Sequence, residues 1–178
     1  MTPLNENINK NINKNIKENI DEKVNAGHQL TQRFEGFEPN IYADSKGIKT
    51  VGYGFNIQDP TISKLINPDV LSGKRPMNRP EADIAFKKLY NRATSDAKYY
   101  AGEETFEALA PKQKRILTDM AYNLGLTSLM GFKKMRKALK SGNSAEVIAE
   151  MKDSDWFNEV GNRSKHHYNN WMRKTNAP

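Results

Sequence analysis

Residues 35–54 have the sequence EGFEPNIYADSKGIKTVGYG, and this stretch decides the fold because it joins a helix end to a β-hairpin. An apolar-patterned run, residues 30–34, leads into Glu35 and stops at Gly36. Glycine ends a helix at low cost because it readily adopts the left-handed C-cap conformation. We therefore expect Glu35 to project from the end of a helix.

The hairpin is predicted from two short apolar runs, residues 41–43 and 48–53. A four-residue segment that starts at Asp44 and ends in glycine joins them, which is typical of a type I turn with glycine at the left-handed position. If Asp44 faces Ile48 across the hairpin, Thr50 lies two residues further along the same face. The side chains of Asp44 and Thr50 can then converge.

Two carboxylates and a hydroxyl at this spacing suit the cleavage of a glycosidic bond. That reaction needs one carboxylic acid to protonate the leaving oxygen and a second carboxylate to activate water or to attack carbon. Apolar neighbours such as Phe34 would raise the pKa of Glu35 by desolvation, while Asp44 on a hairpin stays wetter and ionised. The Thr50 hydroxyl could hold the water. The same spacing also occurs in ordinary solvated turns, so the hairpin alone leaves a non-catalytic interpretation open.

Three blocks of the sequence resemble the phage lysozymes (endolysins) of glycoside hydrolase family 24, especially its T-even branch. The first is the hairpin, ending in Val-Gly-Tyr-Gly. The second is MAYNLG at 120–125, followed by Gly-Phe, and the third is WFN at 156–158, followed by NRSK at 162–165. The resemblance covers most of residues 30–170. It implies an α+β, mostly helical, lysozyme-like fold with a small β-hairpin lobe, a larger helical lobe and a cleft between them.

The resemblance also implies roles for individual residues. Glu35 would be the proton donor, Asp44 the general base or nucleophile, and Thr50 the residue that positions water. Arg163 would pair with the catalytic glutamate. Four positions fall where the family lines its saccharide cleft: Asn56, Tyr122, Met135 and Glu150. The sequence departs from the T-even branch at Phe55, where a histidine makes a buried ion pair, so that pair is expected to be absent.

The function implied is that of a peptidoglycan muramidase, which cleaves the β-1,4 linkage between N-acetylmuramic acid and N-acetylglucosamine. A water-holding hydroxyl at Thr50 favours the inverting route. Two alternatives stay open. One is a lytic transglycosylase on the same fold, which excludes water, and the other is a wall-binding or structural particle protein without catalytic activity.

The charge of the chain favours an anionic polymer as partner. The net charge is +7 over 178 residues, and eight basic residues stand between positions 111 and 140 against one acid, Asp119. Such a patch would concentrate the protein on a bacterial wall. Nucleic acid is not expected, because aromatic residues are not interleaved with the basic ones and no reading element is present. The alternative without a binding role is that these basic residues only keep helix faces soluble.

No metal or cofactor is expected. The chain has no cysteine, which excludes disulfides and a thiol nucleophile, and no Gly-rich phosphate loop. Its three histidines, His28, His166 and His167, include no His-x-x-x-His spacing, so a zinc amidase is poorly supported. We interpret the adjacent pair His166 and His167 as part of a solvated helix face.

The remainder of the chain is patterned as helices. A helix is predicted from Arg79 to Tyr100, with Ile84, Leu89 and Tyr90 as its apolar stripe. Another is predicted from Pro111 to a stop at Gly125, with a broad apolar face that makes it the candidate core helix. A start signal at 143–146 opens a later helix.

Residues 1–29 form an arm outside the resemblance, and residues 30–178 form the catalytic domain. In the arm, isoleucines recur every four residues among Asn, Lys and Glu, which fits a marginal helix or a low-complexity leader. The arm lacks the apolar core of a signal peptide, and no transmembrane run occurs. We expect a monomer that stays in the host cytoplasm until a holin-type pore releases it to the periplasm and wall, or that is carried on a virion.

Overall fold

The computed structural model describes residues 26–45 and 47–172. Residues 1–25, most of the arm, lie outside the described residues. Helix α1 covers 26–35 in the described part of the chain, and Gly36 follows it with φ 70°. The Gly36 amide donates to the Gln32 carbonyl at 3.1 Å. The predicted helix end at Glu35 is thus confirmed.

The hairpin is present and is extended by a third strand. Strands β1 (Glu38–Ala43), β2 (Lys49–Gly52) and β3 (Phe55–Asn56) form an antiparallel sheet in the order β1-β2-β3. The Asp44 amide donates to the Ile48 carbonyl at 3.0 Å, so these two residues face each other as predicted. The sequence did not indicate β3. The chain turns back because Gly52 and Gly54 take left-handed backbone angles, φ 67° and 74°, which end β2 before Tyr53.

Two short helices complete the small lobe. Helix α2 covers Pro60–Ser63 and helix α3 covers Pro68–Leu71. Each begins with proline after a capping side chain, Asp59 for α2 and Asn67 for α3. Proline suits this position because its fixed φ matches the helix and its missing N–H would be unpaired there in any case.

Helix α4 covers Arg79–Ala101 and starts where the sequence predicted. Asn78 and Glu81 form a reciprocal capping box at its N-terminus. The predicted apolar stripe was wrong at Ile84, whose side chain is 63% exposed. The buried face instead carries small residues, among them Ala82 and Ala85, together with Phe86. This face packs on the small-lobe core, so tertiary packing, and not hydrophobicity alone, decides which residues of α4 are buried.

The larger lobe is built from the remaining helices. These are α5 (Glu103–Ala108), α6 (Pro111–Met130), α7 (Lys133–Lys140), α8 (Ser144–Lys152), α9 (Asp155–Glu159) and α10 (Asn162–Trp171). The predicted stop at Gly125 is a break within α6, where φ 73° and ψ 161° leave the helical region before the chain continues to Met130. Asn143 caps α8 through the Glu146 amide, which confirms the predicted start.

Two apolar cores sit on either side of Tyr122. The small-lobe core comprises Val51, Tyr53, Phe55, Ile66, Val70, Met77, Ala82, Ala85, Phe86 and Tyr90. The larger core is centred on α6 and includes Tyr100, Ile116, Leu117, Met120, Leu129, Met151 and Trp156. Helix α4 contributes its first half to one core and its second half to the other, and Tyr122 packs against both. The expected mostly helical α+β fold with two lobes is therefore confirmed.

Within the described ranges, no helix has the length and apolarity required to span a bilayer.

The burial of α6 gives a stability prediction. Leu117 is fully buried, so Leu117→Ala removes apolar contacts and leaves a cavity. We expect it to lower the free energy of unfolding by about 2 to 5 kcal/mol in urea or thermal denaturation. Ile84→Ala is the matched control, because its exposed side chain should change stability by no more than about 0.5 kcal/mol. A large loss at Ile84 would contradict the packing described for α4.

Candidate active site

Glu35 stands at the end of α1, where its side chain remains 17% exposed. The neighbouring turn makes room for it. A Cβ atom on Gly54 would lie 3.0 Å from Glu35 Oε2, and Gly54 also needs its left-handed φ of 74°. Glycine at this position therefore serves both the turn that starts β3 and the space occupied by the carboxyl group.

Arg163, on α10, lies against this carboxyl group as the sequence led us to expect. Its Nη1 donates to Glu35 Oε1 at 2.7 Å, and its side chain is 7% exposed. The guanidinium also lies over the Phe34 ring, 5.4 Å from the ring centroid. An arginine buried to this extent needs more than one partner to offset the loss of hydration.

Asp119, on α6, is the second partner of Arg163. Arg163 Nε donates to Asp119 Oδ2 and Nη2 donates to Oδ1, both at 2.8 Å. Thr31 Oγ1 on α1 donates to Asp119 Oδ1 at 2.5 Å, and His167 Nε2 lies in hydrogen-bonding contact with Oδ2. Asp119 is fully buried. The carboxylate therefore fixes the guanidinium from one side while Glu35 accepts from the other.

The solvated-face interpretation of the C-terminal histidines was wrong for His167, which is fully buried. Its ring stacks on Trp156 with centroids 6.1 Å apart, and Trp156 Nε1 donates to Asn123 Oδ1 at 2.8 Å. His166 is half-buried and meets the Phe34 ring edge to face. Because adjacent residues of a helix point in different directions, only His167 faces the interior of the larger lobe.

The carboxyl groups of Glu35 and Asp119 have opposite pKa shifts. Burial raises the pKa of Glu35 and outweighs the charge and hydrogen bond of Arg163, with the negative charge of Asp119 adding to the rise. Burial also acts to raise the pKa of Asp119, but its hydrogen bonds with His167 and Arg163 prevail and hold that pKa below its usual value. Glu35 is thus disposed to hold a proton, as the sequence predicted, while Asp119 stays ionised.

Asp44 and Thr50 each form a hydrogen bond with the backbone of Ile48. Asp44 Oδ1 accepts from the Ile48 amide at 2.8 Å, and Thr50 Oγ1 donates to the Ile48 carbonyl at 3.0 Å. Asp44 is half-buried at the turn, and Thr50 is 4% exposed on β2. The hydroxyl proton of Thr50 is therefore engaged, while its oxygen can still accept a hydrogen bond.

The four residues expected to line a saccharide cleft do not share one surface. Met135 and Glu150 line a cavity of about 710 Å³ in the larger lobe, together with Trp156. Met135 is 1% exposed, so it contributes to the wall of that cavity and little to its accessible surface. Glu150 Oε1 lies 3.9 Å from Lys134 Nζ. The lining of this cavity includes neither Glu35 nor Asp44.

Tyr122 lies between the lobes, in the lining of a groove of about 220 Å³ that small-lobe residues and helices α4 and α6 enclose. Its hydroxyl approaches the Tyr53 carbonyl at 3.5 Å. Asn56 is half-buried on β3, where its side chain accepts from the Gln58 amide at 2.9 Å. Phe55, the position at which the sequence departs from the T-even branch, is buried in the small-lobe core.

Sequence reasoning missed Asp119, Thr31 and His167 as parts of this cluster. One signal for Asp119 was available, because an acid in the middle of the apolar face formed by Ile116 and Met120 requires a buried partner. Thr31 and His167 carry no comparable local signal. Among the described residues, no group of three or more His, Cys, Asp or Glu side chains could hold a metal ion.

Comparison with known proteins places these features in a wider context. The family model described as phage lysozyme matches residues 32–169. A protein named "Probable T4-type lysozyme 1" from Dictyostelium discoideum is 26% identical over 142 residues, covering 73% of this chain and 84% of that protein. The pre-baseplate central spike protein Gp5 of Enterobacteria phage T4 is 20% identical over 147 residues, which covers 76% of this chain and 26% of Gp5.

Because the pKa of Glu35 is raised in the folded protein, the free energy of unfolding should depend on pH. Protonation of Glu35 favours folding, and this contribution is fully present below the unfolded value of about 4.3 and lost as pH rises through the folded-state pKa. We therefore expect Glu35→Gln to melt with the wild type at low pH and above it near neutrality, as measured by thermal unfolding across pH.

Glu107→Gln is a control variant for which we expect the opposite pH dependence of stability. Hydrogen bonds from Lys114 and Lys98 lower the pKa of the exposed Glu107 to about 2. Its removal should therefore cost stability as pH rises through the ordinary glutamate range. Equal pH dependence for both variants would contradict the environment assigned to Glu35.

Proposed function

The chain belongs to the phage lysozyme family, and we propose that it hydrolyses the β-1,4 bond between N-acetylmuramic acid and N-acetylglucosamine in peptidoglycan. Membership of the family makes it a lysozyme-like cell-wall hydrolase. The particular bond and the chemical route are our proposal.

One observation carries this proposal: the partly exposed Glu35 carboxyl group has a raised pKa and is oriented by Arg163 beside the hairpin. A general acid must hold a proton at the pH of the reaction and must reach the leaving oxygen. Burial on one side supplies the first requirement. The remaining exposure leaves an oxygen available for the second.

In the proposed route, Glu35 gives its proton to the glycosidic oxygen as the bond from that oxygen to the anomeric carbon breaks. Asp44 takes a proton from water, and the water oxygen forms the new bond to the anomeric carbon from the opposite face. Thr50 accepts a hydrogen bond from that water, since its own proton is directed to the Ile48 carbonyl. The product has inverted configuration, and proton return from Asp44 to Glu35 through solvent completes the cycle.

The surface of α7 suits an anionic wall polymer as substrate. Lys133, Lys134, Lys137 and Lys140 are exposed on this helix. Lys133 and Lys134 also line the cavity of about 710 Å³, but four acidic residues share that lining: Glu150, Asp153, Asp155 and Glu159. The positive charge that would concentrate an anionic polymer is thus that of the exposed face of α7, not that of the cavity.

For the place of action we propose release from the host cytoplasm to the wall, or carriage on a particle. Similarity to the central spike protein Gp5 supports carriage, although the chain spans about a quarter of that protein's length. Detection of the chain in purified phage particles distinguishes the two.

Loss of the transferable proton should lower the rate of peptidoglycan hydrolysis strongly. Glu35→Gln preserves the shape of the side chain and the acceptor for Arg163, so we expect the rate on purified peptidoglycan to fall by about a hundredfold to ten-thousandfold. Glu38→Gln is the matched control, because the same change is made on the exposed strand β1 and should keep activity within a few fold. A folded Glu35→Gln protein with near wild-type activity would refute the mechanism.

The configuration of the first product tests the role of Asp44. Rapid proton NMR of a short wall oligosaccharide should show the α-anomer before mutarotation, as inversion at a β-linkage requires. Retention would instead assign Asp44 as a nucleophile. An anhydro-sugar product, lighter by one water, would identify a lytic transglycosylase, and the absence of any cleavage would leave a wall-binding protein.

A further inference from the structure

The cluster behind Glu35 contains a charged residue that the proposed reaction does not use. Asp119 contacts Arg163 through two parallel hydrogen bonds, and it accepts a further bond from Thr31. This arrangement occupies Nε and Nη2 of the guanidinium and leaves Nη1 directed at Glu35. Asp119 and Glu35 thus bind different donor nitrogens of the same planar guanidinium.

We propose that Asp119 is a positioning residue for the acid: it fixes the Arg163 guanidinium and compensates its charge, so that Arg163 orients Glu35 without keeping it ionised. The inference rests on the proposed role of Glu35 as general acid. A Glu35–Arg163 pair alone would orient Glu35 but would also keep it ionised.

The need for Asp119 follows from electrostatics. A lone arginine 2.7 Å from a carboxyl group favours the ionised form, in which the group cannot donate a proton. Asp119 is fully buried and Arg163 is 7% exposed, so water screens their charges weakly. With Asp119 ionised, the buried Arg163–Asp119 pair is neutral, and proton binding by Glu35 no longer opposes a net positive charge.

His167 makes a further polar contact with Asp119. Its Nε2 contacts Asp119 Oδ2, while its Nδ1 is buried and has no hydrogen-bond partner among the described residues. Together with the hydrogen bonds from Thr31 and Arg163, this contact holds the Asp119 carboxylate in one orientation.

The other titratable groups around the cluster come from four elements. Tyr42 on β1 and Tyr122 on α6 interact with Glu35, while Tyr90 on α4 interacts with Asp119. Burial raises the pKa of all three phenols, which therefore stay neutral where a lysozyme works. His166 on α10 meets the Phe34 and His167 rings. His166→Asn in an otherwise unchanged protein tests whether this ring contributes to the pH profile.

The test is the pH profile of peptidoglycan hydrolysis by Asp119→Asn. Removing the negative charge leaves Arg163 uncompensated, so the pKa of Glu35 should fall. We expect the limb of activity that declines with rising pH to move down by about one pH unit. Above both midpoints, the rate should be about tenfold below wild type. Thr31→Val removes one hydrogen bond but keeps the charge, so its midpoint should stay closer to wild type than to Asp119→Asn.

Direct titration separates this inference from the proposed function. Carbon-13 NMR of the carboxyl groups reports Glu35 even if the protein cuts no peptidoglycan, an outcome that would refute the proposed function alone. A lowered Glu35 pKa in Asp119→Asn supports the inference. An unchanged midpoint, with only a uniform loss of rate or stability, overturns it.

The wild type provides the decisive reading if Asp119→Asn does not fold. The Asp119 carboxyl group should remain ionised through the whole range in which Glu35 titrates. If Asp119 takes up a proton in that range, it cannot compensate Arg163 and the inference is wrong.

Discussion

The guanidinium of Arg163, held between Asp119 and Glu35, is the interaction on which the arrangement of the site depends. It brings together the end of α1, the middle of α6 and the start of α10, which are separated by 128 residues at their extremes. Burial of a charge is costly unless hydrogen bonds and an opposite charge offset it. The helices that carry Arg163 and Asp119 must therefore pack in one register, and Glu35 is positioned by the same constraint.

Apolar packing joins the hairpin to this cluster. Helix α4 runs through both apolar cores, and Tyr122 contacts each of them, so the small lobe is held at a defined position against the larger one. Gly54 then brings the β2–β3 turn close to Glu35, where a larger residue would meet the carboxyl oxygen. Acid and hairpin are consequently placed by the fold as a whole.

What could be predicted from the sequence was governed by local rules. The helix end at Gly36, the capped start of α4 and the turn at Asp44 each depend on a few adjacent residues, and each is present in the structure. The direction of the Glu35 pKa shift was also predicted, from one apolar neighbour. Asp119 and His167 were missed because their partners are distant in sequence. Ile84 was misplaced because packing of the first half of α4 on the small-lobe core, not the hydrophobicity of the residue, decides which face is buried.

Comparison of the two buried carboxyl groups shows what separates a proton donor from a structural anion. Both are desolvated, and desolvation alone would raise both pKa values. Asp119 receives hydrogen bonds from Thr31, Arg163 and His167, which stabilise its ionised form, whereas Arg163 offers Glu35 a single donor. The shared arginine couples the two, because a firmly ionised Asp119 weakens the hold of Arg163 on the Glu35 charge. Burial raises the pKa of both groups, so the number of donors around each carboxylate decides which of them stays ionised.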